Sequence, residues 1–162
     1  MKILSPAFAD GAAMPARYTA DGDNHSPPLV FQDVPAAARS LVLTVETDAS
    51  PADVFTHWVM FDVDPRLGGL AQAEIAGRFR DGLNSFRELG YTGPHDREQR
   101  TYVFRLYAVD TRLGLPNGSE IRKVMQAMVG HVIASDELRA TYQCTAELPS
   151  AALERTKGPI VV

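Results

Sequence analysis

Residues 45–64 constrain the fold most, because two strands are joined there through a short polar crossing. The first strand ends in two carboxylates, Glu46 and Asp48, and the second opens with His57 and continues with apolar residues. Side chains alternate between the two faces of a strand, so Glu46 and Asp48 are expected to share a face. A histidine at the start of the next strand can meet them there. The sequence therefore predicts a polar pocket at this crossing.

Apolar and β-branched runs predict further strands in the chain. Residues 40–45 lack strict alternation of polar and apolar side chains, which is typical of a strand covered on both faces. Residues 56–63 and 102–109 are the other clear strands, and the second of these is rich in aromatic residues. Shorter or weaker patterns predict strands at residues 29–31 and 141–148. The chain is therefore predicted to be mostly β.

One segment changes period and predicts the main helix, at residues 119–130. From residue 121 to residue 132, apolar side chains recur at helical spacing, and they are Ile121, Val124, Met125, Met128, Val129 and Val132. Ser119 is the expected N-cap and Gly130 the expected stop. A second, short helix is predicted at residues 70–79, inside a glycine-rich stretch with little regular structure.

The overall composition limits the class of protein. A length of 162 residues suits one domain over residues 1–162, and we expect residues 150–162 to be a loose tail. A net charge of −4 argues against nucleic-acid partners and anionic membrane surfaces. No window has the length of a membrane span, and the single Cys144 cannot form an internal disulfide. We expect a cytoplasmic protein without integral membrane association.

Familiar catalytic motifs are absent from the sequence. It contains no G-x-S-x-G elbow, no H-E-x-x-H and no phosphate-binding glycine loop. The four histidines are scattered, without a pair at the spacing of metal ligands. Cys144 has no adjacent base in the sequence, which indicates a buried structural thiol. The sequence therefore predicts no catalytic residue, no metal site and no cofactor.

Five blocks of sequence occur in an order that resembles a known family. They are DGDNHSPPLVF, SLVLTVETDAS followed by HWVMFDV, GLNSFRELGYTGP, TYVFRLYAVD and GHVIASDEL. In this order they resemble the phosphatidylethanolamine-binding protein family, also called Raf kinase inhibitor-like, in its compact bacterial branch. The resemblance extends to about residue 148. It implies an antiparallel β-sandwich-like fold with a large central sheet, a smaller sheet and few helices.

The resemblance also implies a function. Members of this family are regarded as non-enzymatic, regulatory proteins with a small pocket for phosphate-like anions or phospholipid head groups. A kinase or a protease is the protein partner that the resemblance suggests, and a homodimer is the assembly that it suggests. Two alternatives stay open: an interaction module that inhibits a kinase or protease and has a vestigial pocket, or a weak hydrolase using His57 and Asp48.

The pocket motifs of the family can be matched to this chain after the 40–45 strand and at the start of the 56–63 strand. The acidic D-P-D-A-P motif corresponds to residues 46–50. Its second acid is Asp48, whereas its first is replaced by Glu46. The pocket histidine, which precedes an aromatic residue, matches His57.

Further matches lie before and within the 102–109 strand. The G-P of the anion-binding loop matches Gly93 and Pro94. The H-R-Y motif corresponds to residues 100–102, so that its tyrosine is Tyr102 and its histidine is replaced by Arg100. The segment between these motifs is proline-rich in the family but reads HDREQ here.

These substitutions leave two hypotheses for Arg100. Its guanidinium pairs with Glu46 across the pocket and closes it, or it stays free and binds the anion through two hydrogen bonds. Arg100 and Tyr102 are expected to share a face of their strand.

The other pocket residues also have two interpretations. In the binding interpretation, His57 and the Tyr102 hydroxyl donate to the anion, Asp48 orients the imidazole, and N–H groups near Gly93 complete the site. In the alternative, His57 is a hydrogen-bonded histidine at a strand start and Tyr102 is a core aromatic.

Overall fold

The computed structural model describes residues 1–47, 54–75, 77 and 79–145. Within these residues the chain is mostly β-structure, as the sequence predicts. The strands are β1 (Lys2–Leu4), β2 (Ala12–Ala13), β3 (Leu29–Gln32), β4 (Ser40–Thr47), β5 (Phe55–Val63), β6 (Gly69–Leu70), β7 (Arg80–Asp81), β8 (Arg100–Val109) and β9 (Val132–Tyr142). The α-helix α1 is Ile121–Met128, and a short 3₁₀ helix is Ala16–Tyr18.

The described strands form two sheets. The large sheet has six strands in the order β2-β9-β8-β4-β5-β7, and the small sheet has the order β1-β3-β6. Neighbours pair antiparallel, except that the two-residue β2 pairs parallel with β9. Strands β8 and β4 lie in the middle of the large sheet. This arrangement confirms the large central sheet and the smaller sheet that the resemblance implies.

Side chains on both faces of β4 are buried. Leu41 and Leu43 belong to a cluster that also contains Ile3 and Phe31 of the small sheet. Val42, between them, belongs to a second cluster on the other face. The residues of β4 from Ser40 to Val45 are all buried, which confirms the prediction of a doubly covered strand.

Helix α1 covers the second face of the large sheet. Val124 and Met128 pack in one cluster with Val59 and Phe61 of β5. Full burial of such a side chain stabilises the fold by roughly 1.5–3 kcal/mol. The large sheet is therefore a central layer, with the small sheet on one side and the helix on the other.

The helix is shorter than predicted. Its N-cap residue is Glu120, and the hydroxyl of Ser119 donates instead to the Pro116 carbonyl at 2.6 Å. The apolar stripe also ends early, because Val129 is 76% exposed after the last helical turn. Gly130 has φ +78°, a left-handed conformation that favours glycine and ends the helix as predicted. No helix among the described residues is long and apolar enough to cross a membrane.

Two other expectations are wrong. The described part of residues 70–79 contains no helix, and Leu70 belongs to strand β6. The last predicted strand, at residues 141–148, is displaced: β9 runs from Val132 to Tyr142. Only Leu138 and Ala140 of β9 are buried, so this strand lacks the continuous apolar run that identifies the buried strands in the sequence. Residues 146–148, and the tail at 150–162, lie outside the described residues.

Candidate functional site

The candidate site lies at one end of the large sheet, where β4 ends and β5 and β8 begin. Thr47 at the end of β4 pairs with Tyr102 of β8. The His57 ring packs edge-on against the Tyr102 ring, with 5.2 Å between their centroids. Arg100 opens the same strand as Tyr102. The structure thus brings three of the predicted site residues together, whereas Asp48 lies outside the described residues.

A β-bulge decides the direction in which His57 points. The pairing of β4 with β5 shifts by one residue at Glu46, which pairs with Thr56 instead of His57. A bulge of this kind re-aims the side chain of the extra residue. His57 accordingly contacts Thr47 and Tyr102, which lie on the face opposite Glu46. The expectation that His57 meets Glu46 is therefore wrong.

Both ring nitrogens of His57 have partners. Nδ1 lies 2.8 Å from the carbonyl oxygen of Thr92, and Nε2 lies 2.8 Å from the hydroxyl of Thr47. Because a carbonyl only accepts, Nδ1 carries the proton and donates, and Nε2 of the neutral ring accepts from Thr47. Burial lowers the pKa of His57, although Thr92 and Asp96 act in the opposite direction. The ring is neutral at pH 7, and Thr92 fixes its orientation.

Asp96 occupies the centre of the candidate site. The Tyr102 hydroxyl donates to one carboxylate oxygen of Asp96, and Arg100 Nε lies 3.5 Å from the other. The contact of both side chains with Asp96 confirms that Arg100 and Tyr102 share a strand face. Burial, together with the hydrogen bond to Asp96, raises the pKa of Tyr102, so its hydroxyl keeps the proton that it donates. A neutral donor and a guanidinium thus hold one carboxylate.

Sequence reasoning missed Asp96. The segment HDREQ is recognised only as a departure from a proline-rich loop, and neither of its two acids, Asp96 and Glu98, is assigned a partner. The one available signal is the spacing of four residues between Asp96 and Arg100. That spacing identifies neighbours on a helix but not in an irregular loop.

Glu46 takes part in a different ion cluster, on the other face of the sheet. Its carboxylate accepts from Arg105, whose Nε also donates to Glu137 at 2.8 Å. The hypothesis that Glu46 pairs with Arg100 is therefore wrong. Odd-numbered residues of β8 share the face of Glu46, whereas Arg100 lies on the opposite face with Asp96.

Gly93 and Pro94 dock their loop onto an earlier segment of the chain. The Gly93 N–H donates to the Asn24 side chain at 2.7 Å, and the Pro94 carbonyl accepts from Ala20 N–H at 2.9 Å. A Cβ at Gly93 would lie 2.6 Å from the Tyr18 carbonyl oxygen, so only glycine fits this close approach. Since the Gly93 N–H is already engaged, it does not serve as a free donor in this structure.

Asp21 joins the same loop to the end of β9. Its carboxylate accepts from the Tyr142 hydroxyl at 2.7 Å and lies 2.5 Å from Nδ1 of His95. Burial raises the pKa of Asp21, but hydrogen bonds from Tyr142, Cys144 and His95 bring it below its usual range. Cys144 is half-buried beside this carboxylate, so it is not the fully buried thiol that we expected. Its N–H donates to the Asp96 carbonyl at 2.7 Å and helps to fix that residue.

Two exposed aromatic rings border the candidate site. Phe55 and Phe86 pack edge-to-face with centroids 4.8 Å apart, and they are 37% and 43% exposed. The Phe86 ring also lies 5.8 Å from the His57 ring. An apolar wall therefore adjoins the polar cluster. No group of histidine, cysteine and acidic side chains among the described residues is arranged to hold a metal ion.

Fold and site together define a class: a two-sheet β-protein with a tyrosine, an arginine, a histidine and an acid gathered at one end of its central sheet. Residues 4–143 match the family model for phosphatidylethanolamine-binding protein. The chain belongs to the phosphatidylethanolamine-binding protein family.

Relatives from archaea and bacteria extend this result. A UPF0098 protein of Methanothermobacter thermautotrophicus is 41% identical over 149 residues, which cover 88% of this chain and 99% of the relative. A UPF0098 protein of Chlamydia trachomatis is 38% identical over 151 residues, with coverage of 88% and 99%.

Solved structures show the same fold. A crystal structure from Chlamydia trachomatis, described as a homologue of phosphatidylethanolamine-binding protein, superposes with a TM-score of 0.83 at 36% identity and covers 88% of this chain and 97% of its own. The structure of YbcL from Escherichia coli has a TM-score of 0.79 at 20% identity and covers 88% and 98%. The likeness to YbcL concerns the fold alone.

Proposed function

We propose that this protein binds a small phosphate-like anion, without catalysis, at the cluster of Tyr102, Arg100 and Asp96. One observation carries the proposal: the Asp96 carboxylate is already bound there as an anion by the Tyr102 hydroxyl and the Arg100 guanidinium. A hydroxyl that donates a hydrogen bond and a guanidinium that forms an ion pair can hold carboxylate and phosphate oxygens alike. A regulatory role is the expectation that family membership adds.

Binding at this cluster proceeds by exchange. Tyr102 is fully buried and has a single O–H to donate, so a ligand oxygen takes that hydrogen bond only when Asp96 leaves it. The next residues, from Arg97 to Gln99, are exposed, which leaves room for the Asp96 side chain to turn toward solvent while Cys144 holds its backbone carbonyl. Arg100 is about one-third exposed and can follow the ligand.

The apolar wall favours a ligand with carbon atoms beside its phosphate. Phe55 and Phe86 present exposed rings next to the polar cluster, where a bare inorganic ion makes no apolar contact. Inorganic phosphate and a phospholipid head group share the anionic chemistry. If phosphoethanolamine raises the unfolding temperature more than phosphate does at the same concentration, the head group is the better ligand.

A thermal-shift titration tests the proposal. Ligand that binds only the native state stabilises it by about 2.7 kcal/mol at a hundredfold excess over Kd. Inorganic phosphate is expected to raise the unfolding temperature of the wild type, and Tyr102→Phe is expected to abolish this rise. Tyr107→Phe is the matched control, because Tyr107 lies half-buried on the opposite face of the same strand. Absence of a rise in the wild type, or an equal rise in Tyr102→Phe, contradicts the proposal.

A further inference from the structure

A groove lies at the end of the large sheet opposite the Tyr102 cluster. Three connecting segments meet there: the chain before β4, the chain after β5 and the chain after β8. They enclose a cavity of about 450 Å³ whose apolar lining includes Val34 and Pro35 and whose polar lining includes Arg39, Arg66 and Arg112. The eight residues of β4 separate this groove from the Tyr102 cluster by roughly 25 Å.

A second cavity extends the groove along the sheet edge. It measures about 510 Å³ and shares Asp64 and Arg112 with the first cavity. It also adds Arg80 of β7 to the lining. We call the two cavities together the guanidinium groove, lined by Arg39, Arg66, Arg80 and Arg112.

The acids of the guanidinium groove are already satisfied. Asp62 accepts from the backbone N–H groups of Leu113 at 2.7 Å and Gly114 at 3.0 Å. Asp64 accepts from two nitrogens of Arg66, at 3.2 and 3.1 Å. These hydrogen bonds lower the pKa of Asp64, and the charge of Arg112 acts in the same direction. The lining thus contains four guanidiniums and two carboxylates, which leaves an excess of positive charge.

Three arginines of the groove keep their charge available. Arg39, Arg80 and Arg112 are exposed and form no ion pair with any residue in the part of the chain that the structure describes. The groove is therefore locally positive in a protein with a net charge of −4. Long-range repulsion by that net charge opposes a highly charged nucleic acid.

The shape and chemistry of the groove fit a peptide. A guanidinium binds a carboxylate through two parallel hydrogen bonds, and three separated guanidiniums need an extended ligand with several carboxylates. The apolar lining at Val34 and Pro35 offers contact to the carbon atoms of such a chain. We propose that the guanidinium groove docks an acidic peptide segment of a partner protein, independently of the Tyr102 cluster.

Fluorescence anisotropy with a labelled decapeptide of alternating glutamate and alanine tests this proposal. The wild type is expected to bind it at low salt and to lose it as salt screens the charges. Each exposed guanidinium contributes up to about fivefold in affinity, so Arg39→Gln with Arg112→Gln is expected to weaken binding about five- to twentyfold. Arg97→Gln with Arg122→Gln is the matched control: it removes the same charge from exposed residues outside the groove and is expected to leave binding unchanged.

Several results overturn the proposal. One is a wild type that does not bind the glutamate peptide, and another is equal weakening by the groove pair and the control pair. A third is equal binding of the matching glutamine–alanine peptide, and a fourth is tighter binding of a single-stranded DNA 20-mer. Tyr102→Phe is expected to leave peptide binding intact, and loss of binding in that variant would place the peptide at the other end of the sheet. Thermal unfolding of each variant confirms that it is folded.

Discussion

Just before β8, Asp96 holds two groups that would otherwise be free to bind a ligand. The Tyr102 hydroxyl and the Arg100 guanidinium both contact its carboxylate. A second acid, Glu98, lies 3.5 Å from Arg100 but is 84% exposed and does not reach Tyr102. The affinity of the site for an external anion therefore depends on how easily Asp96 is released.

The buried His57 is expected to make the stability of the protein depend on pH. Burial lowers its pKa from the usual 6.5, so below that pH the unfolded chain binds a proton that the native chain refuses. Above pH 6.5, His57 is expected to add no pH dependence to the free energy of unfolding. Below pH 6.5, it is expected to lower that free energy by up to about 1.4 kcal/mol for each unit by which the pH falls. Denaturant unfolding between pH 8 and pH 5 measures this decline.

Comparison with His57→Gln isolates the contribution of the imidazole from that of other titrating groups. The variant loses stability at pH 8, because it changes the hydrogen bonds to Thr92 and Thr47. The difference in the free energy of unfolding between variant and wild type is expected to become smaller as the pH falls. If the free energies of unfolding of wild type and His57→Gln changed in parallel with pH, His57 would not stay neutral in the fold.

At the scale of the elements, one bulge in β5 places His57 on the face of the sheet opposite Glu46. The two-residue period correctly predicts that Arg100 and Tyr102 share a face, because β8 is regular there. The same period fails for His57, because an extra residue changes the alternation. Nothing in the local sequence marks that extra residue, since the bulge arises from pairing between strands.

The ion cluster on the Glu46 face is expected to stabilise the middle of the sheet. Glu46 is 12% exposed, and Arg105 links it to Glu137 across three neighbouring strands. Removal of the guanidinium leaves the Glu46 carboxylate partly buried without a cation, whereas Glu137 keeps its ion pair with Arg139. Arg105→Gln is therefore expected to lower the free energy of unfolding by about 1–3 kcal/mol. Chemical denaturation measures the change.

Arg139→Gln is the control for that measurement. Arg139 contacts only Glu137 in this cluster and is 50% exposed, so its loss is expected to cost less than about 1 kcal/mol. Similar losses in both variants would mean that the link between Glu46 and Glu137 does not matter for stability.

At the scale of the whole molecule, the strands that the sequence predicts correctly are those whose side chains are buried. Strands β4, β5 and β8 are covered on both faces, so their apolar runs identify them from the sequence alone. Strand β9 is half-exposed and carries charges, and β2, β6 and β7 have only two residues each. Such strands are held in the sheets by pairing with neighbouring strands, and a local sequence pattern does not reveal that pairing.

The same division applies to the candidate site. His57 and Tyr102 could be predicted from strands and a family motif, whereas Asp96 depends on the path of a loop. That path is fixed by distant contacts, among them the hydrogen bond from Gly93 to Asn24 and that from Cys144 to the Asp96 carbonyl. The two proposed binding regions, the Tyr102 cluster and the guanidinium groove, lie at opposite ends of the central strands.

Calorimetric titration with inorganic phosphate tests most directly whether Asp96 occupies the anion site. Asp96→Asn removes the competing charge, and phosphate is expected to bind this variant about tenfold more tightly than the wild type. Glu98→Gln, the control, removes an exposed acid from the same arginine and is expected to change affinity by less than about threefold. Unchanged or weaker binding by Asp96→Asn would contradict the account.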